Sequence, residues 1–552
     1  MKTWKFFSKI IIVSLAVIAM DSCGNNLYDN PNASSTATPT LVLNYLTSKM
    51  VLSEEMPFST SSPAADKVDQ YWVSNYTYYM GNNSYNWSNS AERYTDVYKY
   101  AAKLEDETTR QYGSGDNIYF AIAKFYKAYA AIWLSERVGD IPLSQAGSTT
   151  NLTPAYDTQK QVYAEAITLL EAANTMMNNL YPSTNSSRNT VFSSTGDIFG
   201  LTPLQWQKVI NTFELRVLIS MSKRADDNTA GIDVKSKFAT IVNNPNTYPI
   251  ITSNSDNMLY KFNTTYNPYP LYSNRTYTMY ANISKTLLDL TTANQDPRTF
   301  IFATPAPAQY ITAGKSVSDF TAYVGVSNNL TQAAIMGGTD ASSTASTDKG
   351  AYSYINYKRY FSSADGSTCE PYVVIGYPEL CFNIAEALAR GWFTGTTTPT
   401  GGNGTNASAW YTAGIKASLN FYGLTDGSSI TISDRLGGSL GTVTVSYSTF
   451  QNNANVAYKG DNASGIQQIV EQKYVAMFCN SGYEGFYNWL RTGYPSTFQQ
   501  GGAGIGTANN AIPHRWMYPT NEITYNSANY QAAITSQYGG TDDITQYTWL
   551  FK

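Results

Sequence analysis

DNIYFAIAKFYKAYAAIWLSERVGDIP, residues 116–142, and PAYDTQKQVYAEAITLLEAANTMM, residues 154–177, decide the fold class. In the first stretch Ile118, Ile122, Phe125, Tyr129, Ile132 and Trp133 recur at helical spacing, which predicts a long helix with an apolar face. The second contains Thr158-x-x-Gln161. That is the capping-box pattern, in which a hydroxyl and an amide satisfy the first free N–H groups of a helix. Val162, Ala166, Leu169, Leu170, Ala173 and Met177 then share one face. Two such helices joined by a short return predict an antiparallel hairpin.

The same reading extends outward. Thr202-Pro203-Leu204-Gln205 is a second cap, with proline at the first helical position. It opens a helix through Trp206, Ile210, Phe213, Val217 and Met221. Leu380, Ile384, Ala387 and Leu388 predict another helix ending at Gly391, and Ile415, Leu419 and Tyr422 its partner ending at Gly423. Ile466, Ile469, Val470, Lys473, Tyr474 and Met477 carry one more. The chain therefore reads as mainly α, a scaffold of stacked helix hairpins as in helical repeats. No fixed period of about 34 residues survives, so a regular repeat array is not expected. Residues 394–452 are rich in Thr, Gly and Ser, with Thr442 to Val445 alternating like a strand, and read as a small loop- and β-containing insertion.

Composition narrows the function. Of 552 residues 14% are charged and 43% apolar, where an ordinary soluble domain has about 25% charged residues. The net charge of −4 does not suit a nucleic-acid binder, whose footprint is a basic face. A single histidine, His514, excludes a multi-histidine metal site, and four cysteines are too few for a disulfide framework in a chain of this size. Cys369, Cys381 and Cys479 lack metal-ligand spacing, so no metal or other cofactor is expected. The unusual number is 45 tyrosines. A ring with an apolar body and a polar tip suits a wet recognition surface.

The N-terminus reads as an address. Lys2, Lys5 and Lys9 precede the mainly apolar run Ile10 to Met20, which is short of the roughly twenty residues that span a bilayer. Residues 1–22 are therefore expected to be an export signal. Cys23, after Ala19-Met20-Asp21-Ser22, resembles the acylated cysteine of a bacterial lipobox. Residues 23–40, rich in Asn, Ser, Thr and Pro, read as a tether. Residues 41–552 form the body.

Long loops rich in Tyr, Asn, Ser and Thr separate the helices. Residues 71–87 read YWVSNYTYYMGNNSYNW and residues 262–280 read FNTTYNPYPLYSNRTYTMY. Loops of this length in a folded body are usually functional. A sugar ring has C–H faces that an aromatic ring covers and a rim of hydroxyls that amides and guanidinium groups bond. Carbohydrate contacts are therefore expected from Trp72, Tyr78, Asn83, Tyr85 and Trp87 in the first loop, and from Tyr269, Tyr272 and Arg275 in the second. The competing expectation is an aromatic stripe in the core, since Trp72, Tyr76 and Tyr79 also fall at helical spacing.

Catalytic patterns are weaker. Gly437-x-Ser439-x-Gly441 lacks the strand and helix a nucleophile elbow needs. Gly502-Ala503-Gly504-Ile505-Gly506 lacks a dinucleotide-binding context. Glu105-Asp106-Glu107 reads as a solvated face. A glycosidase would need two carboxylates flanking a cleft, and no motif points to such a pair.

Several segments together resemble the SusD/RagB family of nutrient-binding outer-membrane lipoproteins. They are Gly139-Asp140-Ile141-Pro142, Pro154 to Gln159, Asn294-Gln295-Asp296-Pro297-Arg298, PYVVIGYPELCFNIAEALARGW at 371–392, Tyr487 to Pro495, and Arg515 to Pro519. The resemblance implies a largely helical fold with tetratricopeptide-like hairpins. It also implies capture of oligosaccharide without hydrolysis and a place as a lid over a SusC-like TonB-dependent transporter. The expected location is the outer membrane, lipid-anchored and facing the cell surface, although no acidic cluster directly follows Cys23. Capture of peptide or another nutrient on the same scaffold is the alternative, with a glycoside hydrolase or a purely structural surface protein behind it.

Overall fold

A computed structural model of the chain describes residues 36–552, except 63, 86, 149, 193–196, 228–230, 264–266, 268, 270–276, 278, 341–342 and 362–369. Residues 1–22, expected to be an export signal, and Cys23, Tyr272 and Arg275 lie outside the described residues. Among the described residues the first six helices of ten residues or more are α1 (Pro39–Lys49), α2 (Lys99–Tyr112), α3 (Ile118–Val138), α4 (Gln159–Leu180), α5 (Pro203–Ser220) and α6 (Val234–Asn243), each packed on the next. The helical body begins slightly earlier than its sequence suggests. Thr38 already caps α1, with Pro39 as its first residue.

Local chemistry sets the helix ends. The Asn117 side chain accepts the Tyr119 N–H at 3.1 Å to open α3, and Gly139, at φ +92°, ends it. Both caps expected from sequence form full capping boxes, Thr158 with Gln161 and Thr202 with Gln205. α3 is buried on nearly every side rather than on one face. It lies between α2 and α4, and Phe125 also meets Trp206 and Phe213 of α5 edge-on.

A second group contains α7 (Lys285–Ala293), α8 (Tyr377–Ala389), α9 (Ala407–Phe421), α10 (Ala463–Ala476), α11 (Glu484–Thr492) and α12 (Ser527–Tyr538). α8 pairs with α9 and also packs on α10 and α5, which joins the two groups. Buried ion pairs fix this junction. Arg216 of α5 bonds Glu379 of α8 at 2.8 Å, and Arg491 of α11 bonds Glu386 of α8 at 2.8 Å. Arg298 bonds Asp296 at 2.6 Å with both side chains sealed from solvent, and it also reaches Ser418 of α9 and Gln472 of α10. The Asp-Pro-Arg motif is thus a structural tie. Glu107, expected on a solvated face, is instead buried between Lys103 and Arg110.

The strands are short: β1 (Trp72–Ser74), β2 (Met258–Tyr260), β3 (Ala281–Ile283), β4 (Tyr372–Ile375), β5 (Ser429–Ser433) and β6 (Ser439–Thr444). Among the described residues they form three antiparallel pairs, β1 with β3, β2 with β4 and β5 with β6. Residues 394–452 hold the helix α9 as well as the β5–β6 hairpin and connecting loops. Asp434 closes the hairpin turn by accepting N–H bonds from Leu436 and Gly438. Ser439 therefore opens a strand, and the helix a nucleophile elbow requires does not follow it.

Candidate functional site

The pairing of β1 with β3 brings together two tyrosine-rich segments distant in sequence. Trp72 pairs with Ile283, Val73 with Asn282 and Ser74 with Ala281. The join continues past the strands: Asn75 donates its backbone N–H to the Tyr280 carbonyl at 3.0 Å, and its amide to Met279 and Asn282, each at 2.9 Å. The chain leaving β1 then makes the helical turn Thr77–Met80, while Met279 and Tyr280 lead into β3.

Five tyrosines gather where these segments meet. Tyr79 stacks on Tyr280 with ring centroids 4.8 Å apart and planes at 11°. Tyr277 meets Tyr79 edge-on at 5.8 Å, and Tyr76 lies 5.2 Å from Tyr280. Tyr78 stands edge-on to Tyr79 at 4.9 Å. Tyr78 is 81% exposed and Tyr76 37%, while Tyr79, Tyr277 and Tyr280 are half-buried. The result is a ring platform that faces solvent, with the half-buried rings bracing the exposed ones. Burial, helped by Tyr79 and Tyr76, raises the phenol pKa of Tyr280.

The platform has a fixed base. Asn83 both accepts the Ser74 N–H and donates to the Ser74 carbonyl, each at 2.8 Å. Gln332 donates to the Ser74 hydroxyl at 2.9 Å and the Gly81 carbonyl at 2.8 Å, and accepts the Thr77 hydroxyl at 2.5 Å. Lys67, buried beneath, donates to the Met80 carbonyl at 2.9 Å with its ammonium 5.2 Å above the Trp72 ring. Burial pushes its pKa down to about 7, against the opposing pull of Asp66. Gly81 closes the turn at φ +66°, where an added Cβ would lie 2.4 Å from the Thr60 carbonyl. Only glycine fits there.

The residues expected from sequence divide. Tyr78 is on the platform, and Asn83 is beside it but spends its amide on the backbone of Ser74. Trp72, Tyr85, Trp87 and Tyr269 are core residues, a correction to the expectation that their rings face solvent. The cause in each case is packing against the body, for Trp87 through a partner distant in sequence. Trp72 packs towards Phe58 and Lys67. The Tyr85 hydroxyl donates to the Val68 carbonyl at 2.7 Å. Trp87 stacks on Trp516 at 3.7 Å, and Tyr269 meets Phe262 edge-on at 4.9 Å. Tyr76, Tyr79, Tyr277 and Tyr280 were not among the expected contacts. Their signal was the tyrosine run itself; Tyr76 opens the helical turn Thr77–Met80 that follows β1, and Tyr79 lies within it.

The chemistry available here is adsorption. Rings cover apolar faces, and the phenols and the Thr77 hydroxyl bond polar rims. The nearby carboxylates face inward: Asp66 accepts the Phe58 N–H at 2.8 Å and Asp69 the Phe486 N–H at 2.9 Å. His514 stacks on Tyr547 at 3.8 Å, with Nδ1 against the Thr545 carbonyl. Among the described residues no group of His, Cys, Asp and Glu has the arrangement to hold a metal ion.

A family model described as SusD-like, starch-binding associating with outer membrane, matches residues 31–519. The chain belongs to the SusD-like family. Crystal structures of two SusD homologues from Bacteroides fragilis share its architecture, with TM-scores of 0.71 and 0.75. Each is 27% identical, over 94% of this chain and 100% of the homologue. A chitin-binding protein has the same fold at 21% identity and a TM-score of 0.66, over 93% of this chain and all of its own. No curated protein matches the chain. The helical scaffold expected from sequence is thus the SusD-like fold, a family associated with the outer membrane. Among the described residues no helix is long and apolar enough to cross a membrane.

Proposed function

We propose that this protein is a non-catalytic receptor that captures oligosaccharide or polysaccharide on its tyrosine platform and passes it to a SusC-like TonB-dependent transporter. Lipid on Cys23 holds it to the outer membrane, facing the cell surface. The observation that carries the reading is the solvent-facing cluster of Tyr76, Tyr78, Tyr79, Tyr277 and Tyr280 on a hydrogen-bonded base. Membership of the SusD-like family supports it, as do the export signal and the cysteine that follows it. Affinity is modest, because ordering a flexible, well-hydrated sugar offsets much of the contact energy. Delivery to a transporter also requires release.

Maltooligosaccharides, printed beside other glycans and a peptide panel, are the first probes. Wild type is expected to retain glycans, and Tyr76→Ala/Tyr78→Ala to lose at least tenfold in affinity for one or more of them. Retention of peptides alone, or equal glycan binding by the variant, refutes the platform. Prolonged incubation followed by product analysis checks catalysis, and cleavage beyond one turnover per protein refutes a receptor. Cys23→Ala is expected to abolish fatty-acid labelling and membrane retention, and co-purification from solubilised membranes tests the transporter.

A further inference from the structure

A groove of about 800 Å³ lies on another part of the molecule. One wall is the turn Tyr94–Tyr98 with the start of α2, and the other is formed by residues 142–148 and 151–154. None of its lining residues belongs to the tyrosine platform. Its size is that of a small-molecule site, about 300–1,000 Å³.

The walls are held in place by their own bonds. Asp157 accepts N–H bonds from Leu143 at 2.9 Å and Ser144 at 2.7 Å, and the Ser144 hydroxyl at 2.9 Å, which fixes the root of the loop. Tyr94 donates its phenol to the Pro142 carbonyl at 2.6 Å, tying the two walls together. Tyr94–Tyr98 is a π-helical turn, a rare conformation that recurs at functional sites. Glu522, at the edge, is bonded by the Tyr156 hydroxyl at 2.8 Å.

Charge bookkeeping selects the ligand. Lys127 is bonded to Glu105 at 2.5 Å and Lys103 to Glu107 at 2.8 Å. Among the described residues Lys99 and Asp106 make no ion pair, and both are exposed on the same wall. Glu522 makes no ion pair either, so one unpaired cation stands against two unpaired anions and nothing in the groove attracts an acidic polymer. Tyr98 and Tyr100 line one wall half-buried, with Lys127 and Lys99 over their rings at 5.7 and 6.0 Å and Tyr45 against Tyr100 at 4.0 Å, and the other wall carries Gln145 and Asn151, whose amides bond each other at 2.6 Å. Rings on one wall and amides on the other suit a ligand with C–H faces and a rim of hydroxyls. We infer that this groove is a second binding site, for a neutral oligosaccharide, independent of the platform.

The test uses the full chain on an array of neutral and acidic oligosaccharides, with titration calorimetry on those retained. Tyr76→Ala/Tyr78→Ala is expected to keep a subset of neutral glycans. Adding Ala146→Trp, which places an indole in the groove, is expected to weaken that remainder at least tenfold. Gln145→Ala/Asn151→Ala, at the surface, is expected to weaken it several-fold and guards against a misfolded Ala146→Trp. The inference is overturned if the platform variant retains nothing that wild type binds, in which case the platform stands alone. It is also overturned if the remainder is indifferent to both groove changes, if only acidic glycans are retained, or if wild type retains none. If the groove changes remove all binding and the platform change removes none, the groove stands and the platform reading falls.

Discussion

Trp87→Ala separates rings that hold the fold from rings that face the ligand. Trp87 is 1% exposed, lies flat on Trp516 at 3.7 Å and 4°, and meets Phe486 edge-on at 5.2 Å. Removing a buried indole costs about 3–5 kcal/mol, and losing the stack adds about 0.5–1.5 kcal/mol. Unfolding entropy of about 2.1 cal/mol/K per residue amounts to about 1.2 kcal/mol/K for this chain. A loss of about 5 kcal/mol therefore lowers the melting temperature by roughly 4 °C. Tyr78→Ala, at an 81% exposed position, changes stability by no more than about 0.5 kcal/mol. Scanning calorimetry reads the first quantity, and titration with a glycan that wild type retains reads the second. Trp87→Ala is expected to melt early yet bind normally below its transition, and Tyr78→Ala to melt normally yet bind poorly. A Trp87→Ala protein with an unchanged melting temperature and lost binding would make the indole a ligand contact and refute its place in the core.

Arg298→Met leaves Asp296 charged and sealed inside the protein and is expected to cost about 3–5 kcal/mol; a urea midpoint equal to wild type refutes the tie. Gly81→Ala puts a methyl group 2.4 Å from the Thr60 carbonyl and strains the backbone at φ +66°, so both stability, by about 1–3 kcal/mol, and glycan affinity are expected to fall together in one titration and melting series. Lys67, its pKa pushed down from 10.5 to about 7 mainly by burial, binds its proton less readily folded than unfolded. Its contribution to stability is therefore lowest below about pH 7 and rises as pH climbs towards 10. Lys67→Met is expected to flatten that rise in urea midpoints across the window, and an unchanged slope refutes the assignment.

The helices were legible because their signals are local. Thr158 with Gln161 and Thr202 with Gln205 are read within four residues, and both form the caps expected of them. The tyrosine platform was legible only as segments. Trp72 and Tyr76 stand four residues apart in the same tyrosine-rich run, yet one is sealed in the core and the other faces water. Their difference arises where the strand ends: Trp72 is paired with Ile283 of β3, a strand from elsewhere in the chain, whereas Tyr76 lies beyond β1 and opens the turn Thr77–Met80. Trp87 is hidden by Trp516, and nothing within the loop 71–87 announces that partner. The groove beside Tyr94–Tyr98 was invisible for the same reason, since its two walls become neighbours only through the folded backbone.

The bond from Asn75 to Asn282 spans 207 positions along the chain. Closing so long a stretch carries an entropic penalty that local helix formation does not, so such pairings come late in folding. Half-made copies of the molecule would have their hairpins but no landing surface. On the proposed function, competence to hold cargo doubles as a certificate of maturity, issued only when the first and middle thirds of the polypeptide have found each other.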